Sequence, residues 1–495
     1  MNRIGFDNAK YLEMQSARIR ERIDQFGGKL YLEFGGKLFD DHHASRVLPG
    51  FEPDSKVNML KQLSDQAEIV IVINAADIEK NKVRGDLGIT YDLDVLRLID
   101  AFRDEDLYVG SVVMTRYAGQ PSAEQFQHRL EALGVKVYRH YSIAGYPSDI
   151  ERIVSDEGYG RNEYIETSRS LVVVTAPGPG SGKMATCLSQ LYHEHKRGVQ
   201  AGYAKFETFP IWNLKLRHPV NIAYEAATAD LSDVNMLDPF HLEAYGIKTV
   251  NYNRDVEIFP VVNAMFTRIW GESPYKSPTD MGVNMVGYCI VDDEAVSDAA
   301  NQEIIRRYYA AQCARRQGNG PAEVVDKLRL IMHQAGLSEN DRPVVAAALE
   351  KERALGGEPA TAIELPDGTI LTGKTSLLMG STSAALLDAL KYLAGIEDGL
   401  HLISPEVIEP IQDLKVNHLG NHNPRLHTDE ILIALSICAV NDETAERAMR
   451  AMDGLKGCEA HASVILSSVD ERVLRNLKIN LTCEPKYQTQ KLYHT

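Results

Sequence analysis

A glycine-rich segment that ends in a lysine has the residue types and spacing best suited to chemistry in this sequence. Residues 176–184 read Ala-Pro-Gly-Pro-Gly-Ser-Gly-Lys-Met. Glycines let the backbone approach a ligand, successive N–H groups then point at phosphate oxygens, and a lysine neutralises phosphate charge. We therefore predict a phosphate-binding loop whose lysine, Lys183, also serves any catalysis of phosphoryl transfer. The predicted ligand-binding residues of the loop are Gly178, Gly180, Ser181, Gly182 and Lys183.

The segment departs from the standard phosphate-loop pattern, G-x-x-x-x-G-K-[ST], at two positions. Pro177 replaces the first glycine and has no N–H to donate, so the loop loses one phosphate contact. Met184 replaces the serine or threonine whose hydroxyl holds Mg²⁺. Because the other amides and Lys183 remain, we expect phosphate recognition to persist. A magnesium requirement and nucleotide hydrolysis both stay open.

A literal match to the same pattern occurs elsewhere, at Gly368-Thr-Ile-Leu-Thr-Gly-Lys-Thr375. Asp367-Gly368 is a hairpin turn signal, and Thr-Ile-Leu-Thr favours a β-strand over a flexible loop. No predicted strand leads into Gly368, as the motif requires. We therefore predict a hairpin here and no phosphate site.

Two further residues follow predicted strands of the N-terminal region. Ligands of an open α/β sheet bind beyond the carboxyl ends of its strands. This rule adds Asp77 and Arg116 to the predicted ligand site. The charged loop 78–91, which includes Asp86, is either a lid over the phosphates or a solvated surface loop.

A second anion-site candidate lies in the C-terminal region. Ser376–Met379 is predicted as a strand and Gly380–Ser383 as a polar loop before a helix. Hydroxyl side chains at a helix start bind anions, but they also cap the helix. We expect capping here, with anion binding as the alternative.

Histidines and a cysteine suggest other chemistry in the same region. The turn His418–His427 contains Arg425 and fits no standard zinc spacing, so a contact with phosphate or substrate is favoured over a metal. Cys458 has His461 nearby, as a thiol nucleophile would require. Residues three apart on a strand face opposite sides, which makes this pair the weaker candidate.

Repeated strand–helix units predict a doubly wound, mainly parallel α/β sheet with the phosphate loop between a strand and a helix. Short apolar runs suit buried parallel strands, and the stretches around them have helical spacing. The predicted strands are Lys29–Phe34, Glu68–Asn74, Leu107–Thr115, Val135–His140 and Leu171–Thr175. The predicted helices are Asn8–Asp24, Asp54–Asp65, Leu93–Phe102, Ser122–Leu133 and Ser148–Asp156.

The chain of 495 residues is too long for one hydrophobic core. We predict an α/β domain over residues 1–317, closed by the helix breaker Gly318-Asn-Gly-Pro321. A helical connector then covers 318–358, and a smaller α/β or α+β domain covers 359–495.

The net charge, the apolar runs and the spacing of the cysteines indicate which classes of protein this sequence can belong to. A net charge of -16 argues against a nucleic-acid partner, and no apolar run approaches the roughly 20 residues that span a bilayer. No signal peptide is recognisable, and the six cysteines form no C-x-x-C pair. We expect a cytoplasmic protein without a membrane partner, and a homo-oligomer as the commonest state of such proteins.

Several motifs together resemble a known bacterial family of similar length. They are Ala176-Pro-Gly-Pro-Gly-Ser-Gly-Lys-Met184, Asp233-Val-Asn235 with Asp238-Pro-Phe-His241, Ser277-Pro-Thr-Asp-Met-Gly282 and Cys458-Glu-Ala-His461. That family has only a domain-of-unknown-function label, and some members have been called ATP-dependent peptidases without support. The resemblance covers the whole chain and implies a phosphate-loop-like N-terminal part, with Met184 belonging to the family's own motif. It implies no reaction.

These observations favour a protein that binds a nucleotide such as ATP, or a phosphorylated metabolite, at 178–183 and catalyses phosphoryl-transfer or ligase-type chemistry. One alternative is a non-catalytic nucleotide or anion sensor within an oligomer, which the missing magnesium hydroxyl favours. Another is a hydrolase or amidotransferase that uses Cys458 or the turn His418–His427.

Overall fold

A computed structural model describes residues 3–39, 41–84, 87–231 and 233–489 of the chain. It divides into two compact units, one spanning Ile4–Ala299 and the other beginning at Ala300. The helices of residues 318–358 fall within the second unit. Asp86, part of the predicted charged loop, lies outside the described residues.

The first unit alternates strands and helices along most of its length, and the predicted α/β fold class is confirmed. Its strands are β1 (Leu30–Phe34), β2 (Ala67–Asn74), β3 (Val83–Arg84), β4 (Ile89–Thr90), β5 (Tyr108–Tyr117), β6 (Lys136–Tyr141), β7 (Leu171–Thr175), β8 (Gly202–Phe206), β9 (Asn235–Leu237), β10 (Val250–Tyr252) and β11 (Gly282–Val283). Its helices are α1 (Asn8–Gln25), α2 (His42–Val47), α3 (Ser55–Lys61), α4 (Ala75–Glu79), α5 (Tyr91–Asp104), α6 (Pro121–Ala132), α7 (Ile150–Ile153), α8 (Lys183–Lys196), α9 (Pro219–Ala227), α10 (Pro239–Tyr245), α11 (Asn253–Trp270) and α12 (Pro278–Met281), followed by α13 (Asp293–Arg316), which crosses into the second unit.

A seven-stranded sheet in the order β11-β8-β1-β7-β2-β5-β6 forms the centre of this unit, and its neighbouring strands are parallel. The chain leaves β1 to reach β2 on one side, and it leaves β7 to reach β8 on the other. The adjacent strands β1 and β7 therefore flank a topological switch point. Ligands of doubly wound folds bind outside the carboxyl ends of the strands at such a point.

The central strands are apolar because both of their faces are covered. The residues of β1, β2 and β7 are buried throughout. On one face the sheet packs with α8 and α11, whose apolar residues recur at helical spacing. The core on that face includes Tyr31, Val72, Val174, Leu188, Leu191, Phe259 and Phe266.

The second unit contains a four-stranded mixed sheet in the order β13-β12-β14-β15, covered by helices. Its strands are β12 (Ala360–Glu364), β13 (Ile370–Lys374), β14 (Glu459–Ala462) and β15 (Asn480–Cys483). Its helices are α14 (Ala322–Gln334), α15 (Pro343–Ala354), α16 (Ser381–Leu393), α17 (Pro405–Asp413), α18 (Thr428–Cys438), α19 (Glu443–Arg450) and α20 (Ser468–Asn476). The predicted hairpin is present, since β12 and β13 pair antiparallel around Gly368.

Two predictions for the second unit are wrong. Residues 376–379 form no strand, because their backbone is taken up by local hydrogen bonds to Ser376 and by a single bridge from Met379 to Leu426. The hydroxyls of Ser381 and Thr382 do not cap α16, because both face the Thr361 hydroxyl instead. Among the described residues, every helix is too short or too polar to cross a membrane.

Candidate phosphate-binding site

The predicted phosphate loop joins the buried strand β7 to α8 at the topological switch point. Helix α8 begins at Lys183, and its N-cap residue Gly182 has a φ of 97°. Gly180 also has a positive φ, of 74°. Only glycine adopts such angles at little cost, so two of the glycines in the motif are required by the turn itself.

The first turn of α8 presents backbone donors that the protein does not use. The N–H groups of Lys183, Met184 and Ala185 have no acceptor among the described residues, whereas the Thr186 amide donates to the Gly182 carbonyl at 2.9 Å. No side chain caps this helix. Free amides and the partial positive charge of a helix N-terminus together attract anions.

The Lys183 ammonium is available to a ligand. Its side chain is half-buried, and within the described ranges it forms no hydrogen bond or ion pair. Burial lowers the pKa of Lys183, the Glu33 carboxylate raises it in part, and the Lys205 ammonium lowers it further. A cation that is partly desolvated and unpaired gains more from an anionic ligand than an exposed one does.

Neighbouring strands and helices hold the loop in shape. The Thr115 hydroxyl, at the end of β5, donates to the Ser181 carbonyl. A Cβ on Gly178 would lie 2.3 Å from the Tyr91 Oη, so the loop packs directly on that ring. The Ser181 hydroxyl is buried and has no partner in the part of the chain that the structure describes. The loop therefore keeps an unsatisfied polar group close to its free amides.

Asp77 is connected to the loop by a chain of contacts through two side chains, Lys82 and Tyr91. The Lys82 ammonium is 3.3 Å from the Asp77 Oδ2 and 4.9 Å from the centroid of the Tyr91 ring, which packs on Gly178. The loop after α4 forms the short hairpin β3–β4, and Arg84 within it donates to the buried Asp94 at 2.7 Å. This arginine therefore serves the local fold and is not free to reach a phosphate.

Arg116 is exposed at the end of β5, where its φ of 51° is unusual for a residue with a side chain. Burial raises the pKa of Tyr146, Glu33 raises it further, and Arg116 lowers it. Arg116 and Glu33, the carboxylate that also acts on Lys183, thus act on the same tyrosine. The predicted residues after β2, β5 and β7 converge at one edge of the sheet.

A buried charged cluster at the end of β8 was not predicted from the sequence. The Lys205 ammonium contacts Asp255, lies 2.6 Å from the Glu207 Oε1 and donates to the Tyr252 hydroxyl at 2.7 Å. The pKa of Glu207 is raised above its ordinary value, because burial and the Asp255 carboxylate raise it more than Lys205 lowers it. Carboxylates with a raised pKa are common at functional sites. The signal in the sequence was the charge of Lys205 within the otherwise uncharged strand Gly202–Phe206.

Met184 packs against the hydrophobic core and supplies no hydroxyl at the magnesium position. Across the described ranges, no group of three or more His, Cys, Asp or Glu side chains is arranged to hold a metal ion. The arrangement at 178–185 is therefore suited to anion recognition by amides and an ammonium.

Cys458 has the surroundings of a structural thiol. It is buried, its Sγ lies 3.6 Å from the Gly454 carbonyl oxygen, and burial raises its pKa to about 11. His461 instead contacts the Thr482 hydroxyl at 2.9 Å and Glu484 at 3.3 Å. A protonated thiol without a base beside it is a poor nucleophile.

Comparison with known proteins identifies the family. Residues 4–336 match the domain of unknown function DUF1846, N-terminal, and residues 340–493 match the domain of unknown function DUF1846, C-terminal. The chain belongs to the DUF1846 family. The resemblance predicted from the motifs is thereby confirmed, and it extends over both units.

Relatives from streptococci have closely similar sequences. The chain is 59% identical over 493 residues to the UPF0371 protein stu1377 of Streptococcus thermophilus, and the match covers 100% of both chains. It is 58% identical over 495 residues to a UPF0371 protein of Streptococcus equi subsp. equi, again over 100% of both chains. Both of these relatives therefore share the length and domain content of the chain.

Proposed function

We propose that this DUF1846 protein binds a nucleotide such as ATP, or another phosphorylated metabolite, in the cytoplasm, with the phosphates on the loop 178–183. The uncapped N-terminus of α8, which combines free amides with the unpaired Lys183 ammonium, carries this proposal. Its position at the switch point between β1 and β7 supports the same conclusion.

Each part of the loop has a distinct task in this proposal. The amides of residues 183–185 bind phosphate oxygens at fixed positions, and Lys183 neutralises charge that moves between phosphates during phosphoryl transfer or ligation. The site lacks the hydroxyl that fixes Mg²⁺ in the standard motif. Any magnesium that takes part would therefore be held by the nucleotide and not by a hydroxyl at position 184.

Calorimetric titration of the full chain with ATP and with pyrophosphate, each with and without Mg²⁺, tests the proposal. Lys183→Ala removes a charge-assisted hydrogen bond of about 1.5–3 kcal/mol, so affinity should fall by about tenfold or more. The matched control is Lys374→Ala, in the segment that matches the phosphate-loop pattern literally. Absence of binding by the wild type, or equal effects of the two variants, would overturn the proposal.

A non-catalytic nucleotide sensor acting within a homo-oligomer is the second candidate, and Met184 at the magnesium position favours it. Release of phosphate from bound ATP, measured against Lys183→Ala, separates the two. Binding without turnover, together with a ligand-dependent change in oligomeric state on size exclusion, would support the sensor.

A further inference from the structure

A second polar cavity lies entirely within the second unit. Its volume is about 100 Å³, and it is formed by the start of α16, the segment before α18 and the segment leading into α20. Two sequence features that the proposed function leaves unused meet here: the hydroxyl-rich residues at the start of α16 and the turn His418–His427. Its polar lining residues include Ser381, Thr382, Ser383, Arg425, His427 and Asp470.

Arg425 contributes an oriented guanidinium to the cavity wall. Its Nε donates to the Ser376 carbonyl at 2.9 Å, which fixes the plane of the group. The remaining guanidinium N–H groups of Arg425 have no partner among the residues that the structure describes. A fixed guanidinium with free donors suits the paired oxygens of an oxyanion.

His427 contributes a second group, an imidazole that is positively charged when protonated. Its Nδ1 lies 3.0 Å from the Asp470 Oδ2, and this hydrogen bond raises the pKa of His427. Asp470 also accepts from the Thr428 amide at 2.9 Å and from the Ser467 hydroxyl at 2.8 Å. The carboxylate is therefore occupied, and the Nε2 of His427 remains for a ligand.

The start of α16 adds unused backbone donors to these side chains. The Ser381 and Ser383 hydroxyls are engaged with Thr361 and with the Leu426 carbonyl, so they leave the helix amides uncapped. The N–H groups of residues 381–383 have no acceptor within the described part of the chain. Backbone amides therefore line one wall of the cavity, and the side chains of Arg425 and His427 line another, so both walls can bind an anion.

We propose that this cavity binds a tetrahedral oxyanion, either inorganic phosphate or the phosphoryl group of a small phosphomonoester. The occupant is small because pockets for larger ligands measure roughly 300–1,000 Å³. The site is independent of the phosphate loop in the first unit, and each can fail without the other.

Calorimetry in a Lys183→Ala background weakens anion binding at the phosphate loop without removing its amides, so variants of the cavity itself assign the binding that remains. The probes are sulfate, inorganic phosphate and glycerol 3-phosphate, and we expect saturable binding of the first two. Binding of the ester as well would identify a phosphoryl end as the ligand, and its exclusion would identify a free ion. Binding of none of the three probes overturns the proposal.

Two variants locate the binding. Arg425→Gln and His427→Gln should each weaken sulfate binding by about tenfold, because each removes a charge-assisted hydrogen bond. Arg472→Gln, a change of an exposed arginine on α20, is the control and should have no effect. Unchanged affinity in both Arg425→Gln and His427→Gln would overturn the proposal.

A pH series needs no variant that risks misfolding. Charged groups around His427 are Asp470 on α20, Glu430 on α18, Lys415 in the segment Leu414–His418, and Arg425. Sulfate keeps the same charge between about pH 6 and pH 8.5, so a fall in affinity over that range reports loss of the imidazolium proton. An affinity independent of pH would contradict the role of His427.

Discussion

The two lysine-containing segments at 176–184 and 368–375 differ in their structural context, which the phosphate-loop sequence pattern does not describe. The second matches the phosphate-loop pattern at every position, yet it forms the turn and strand of an antiparallel hairpin. The first departs from the pattern twice, yet it joins a buried parallel strand to the uncapped end of a helix. Phosphate binding depends on backbone N–H groups that have no acceptor within the protein. In a paired strand most of these groups are already hydrogen-bonded.

The lysines reflect the same difference. Lys374 ends β13, opposite Ala360, with its side chain exposed to solvent. Lys183 is the first residue of α8, half-buried and close to the charges of Glu33 and Lys205. The comparison teaches that the helix terminus supplies the anion site and that the lysine adds to it.

The largest expected effect concerns Gly373, the second glycine of the literal pattern. A Cβ there would lie 2.2 Å from the Ser381 carbonyl oxygen and 2.3 Å from the Ala385 nitrogen, both in the backbone of α16. Gly373→Ala should therefore lower the free energy of unfolding by about 2–3 kcal/mol, measured by urea denaturation. The glycine is present because a helix packs closely on the strand.

ATP titration of the same variant sharpens the comparison. Since Gly373 serves packing in the second unit, folded Gly373→Ala should bind ATP as the wild type does. Loss of ATP binding in a variant that stays folded would assign the nucleotide site to the literal match instead.

Gly182→Ala should have the next largest effect. Its φ of 97° strains any residue with a side chain, and the new Cβ would lie 3.1 Å from the Thr115 Cγ2. We expect a loss of about 1–2 kcal/mol in unfolding free energy, together with weaker ATP binding.

Gly368→Ala is the matched control for that change. Gly368 has a φ of 86° and open space around the position of a Cβ. It should cost about 1 kcal/mol through backbone strain and leave ATP affinity unchanged. Equal losses of ATP affinity in the two variants would remove the distinction between the segments.

Thr115→Val tests the support beneath the loop. The substitution keeps the shape of the side chain but removes the hydroxyl that donates to the Ser181 carbonyl. We expect a loss of about 1 kcal/mol in thermal or urea unfolding and a several-fold weaker ATP affinity. Thr372→Val in β13 should change stability by less than about 0.5 kcal/mol, since its hydroxyl bonds to no described residue.

The fold was predictable where local sequence and tertiary environment agree. Strand β7 was predicted with its observed bounds, because Leu-Val-Val-Val-Thr is apolar, β-favouring and buried on both faces. Residues 376–379 are also mostly apolar, but they lie at a site where local hydrogen bonds replace strand pairing. Burial and pairing depend on distant segments, so composition alone cannot separate the two cases.

The candidate sites were predictable only in part for the same reason. The loop 178–183 is local in sequence, and its residues were recognisable together. The cluster around Glu207 is local only in part, since Lys205 lies on the adjoining strand whereas Asp255 comes from α11. The cavity of the second unit likewise joins Ser381 to Arg425 and Asp470, residues that only the tertiary fold brings together.

The smallest expected effect on the free energy of unfolding comes from replacing Lys183, and it is an increase, whereas the other substitutions lower this free energy. Burial lowers the pKa of Lys183, which means that the ligand-free fold holds this ammonium at a cost. Lys183→Met should therefore raise the free energy of unfolding by about 0.5–1 kcal/mol without ligand while it weakens ATP binding by about tenfold or more. Lys374→Met, at an exposed position, should change neither quantity. Urea denaturation at pH 7 with and without ATP measures both. If Lys183→Met instead lowers the free energy of unfolding, the lysine stabilises the fold. The structural difference between Lys183 and Lys374 would then not indicate a difference in ligand binding.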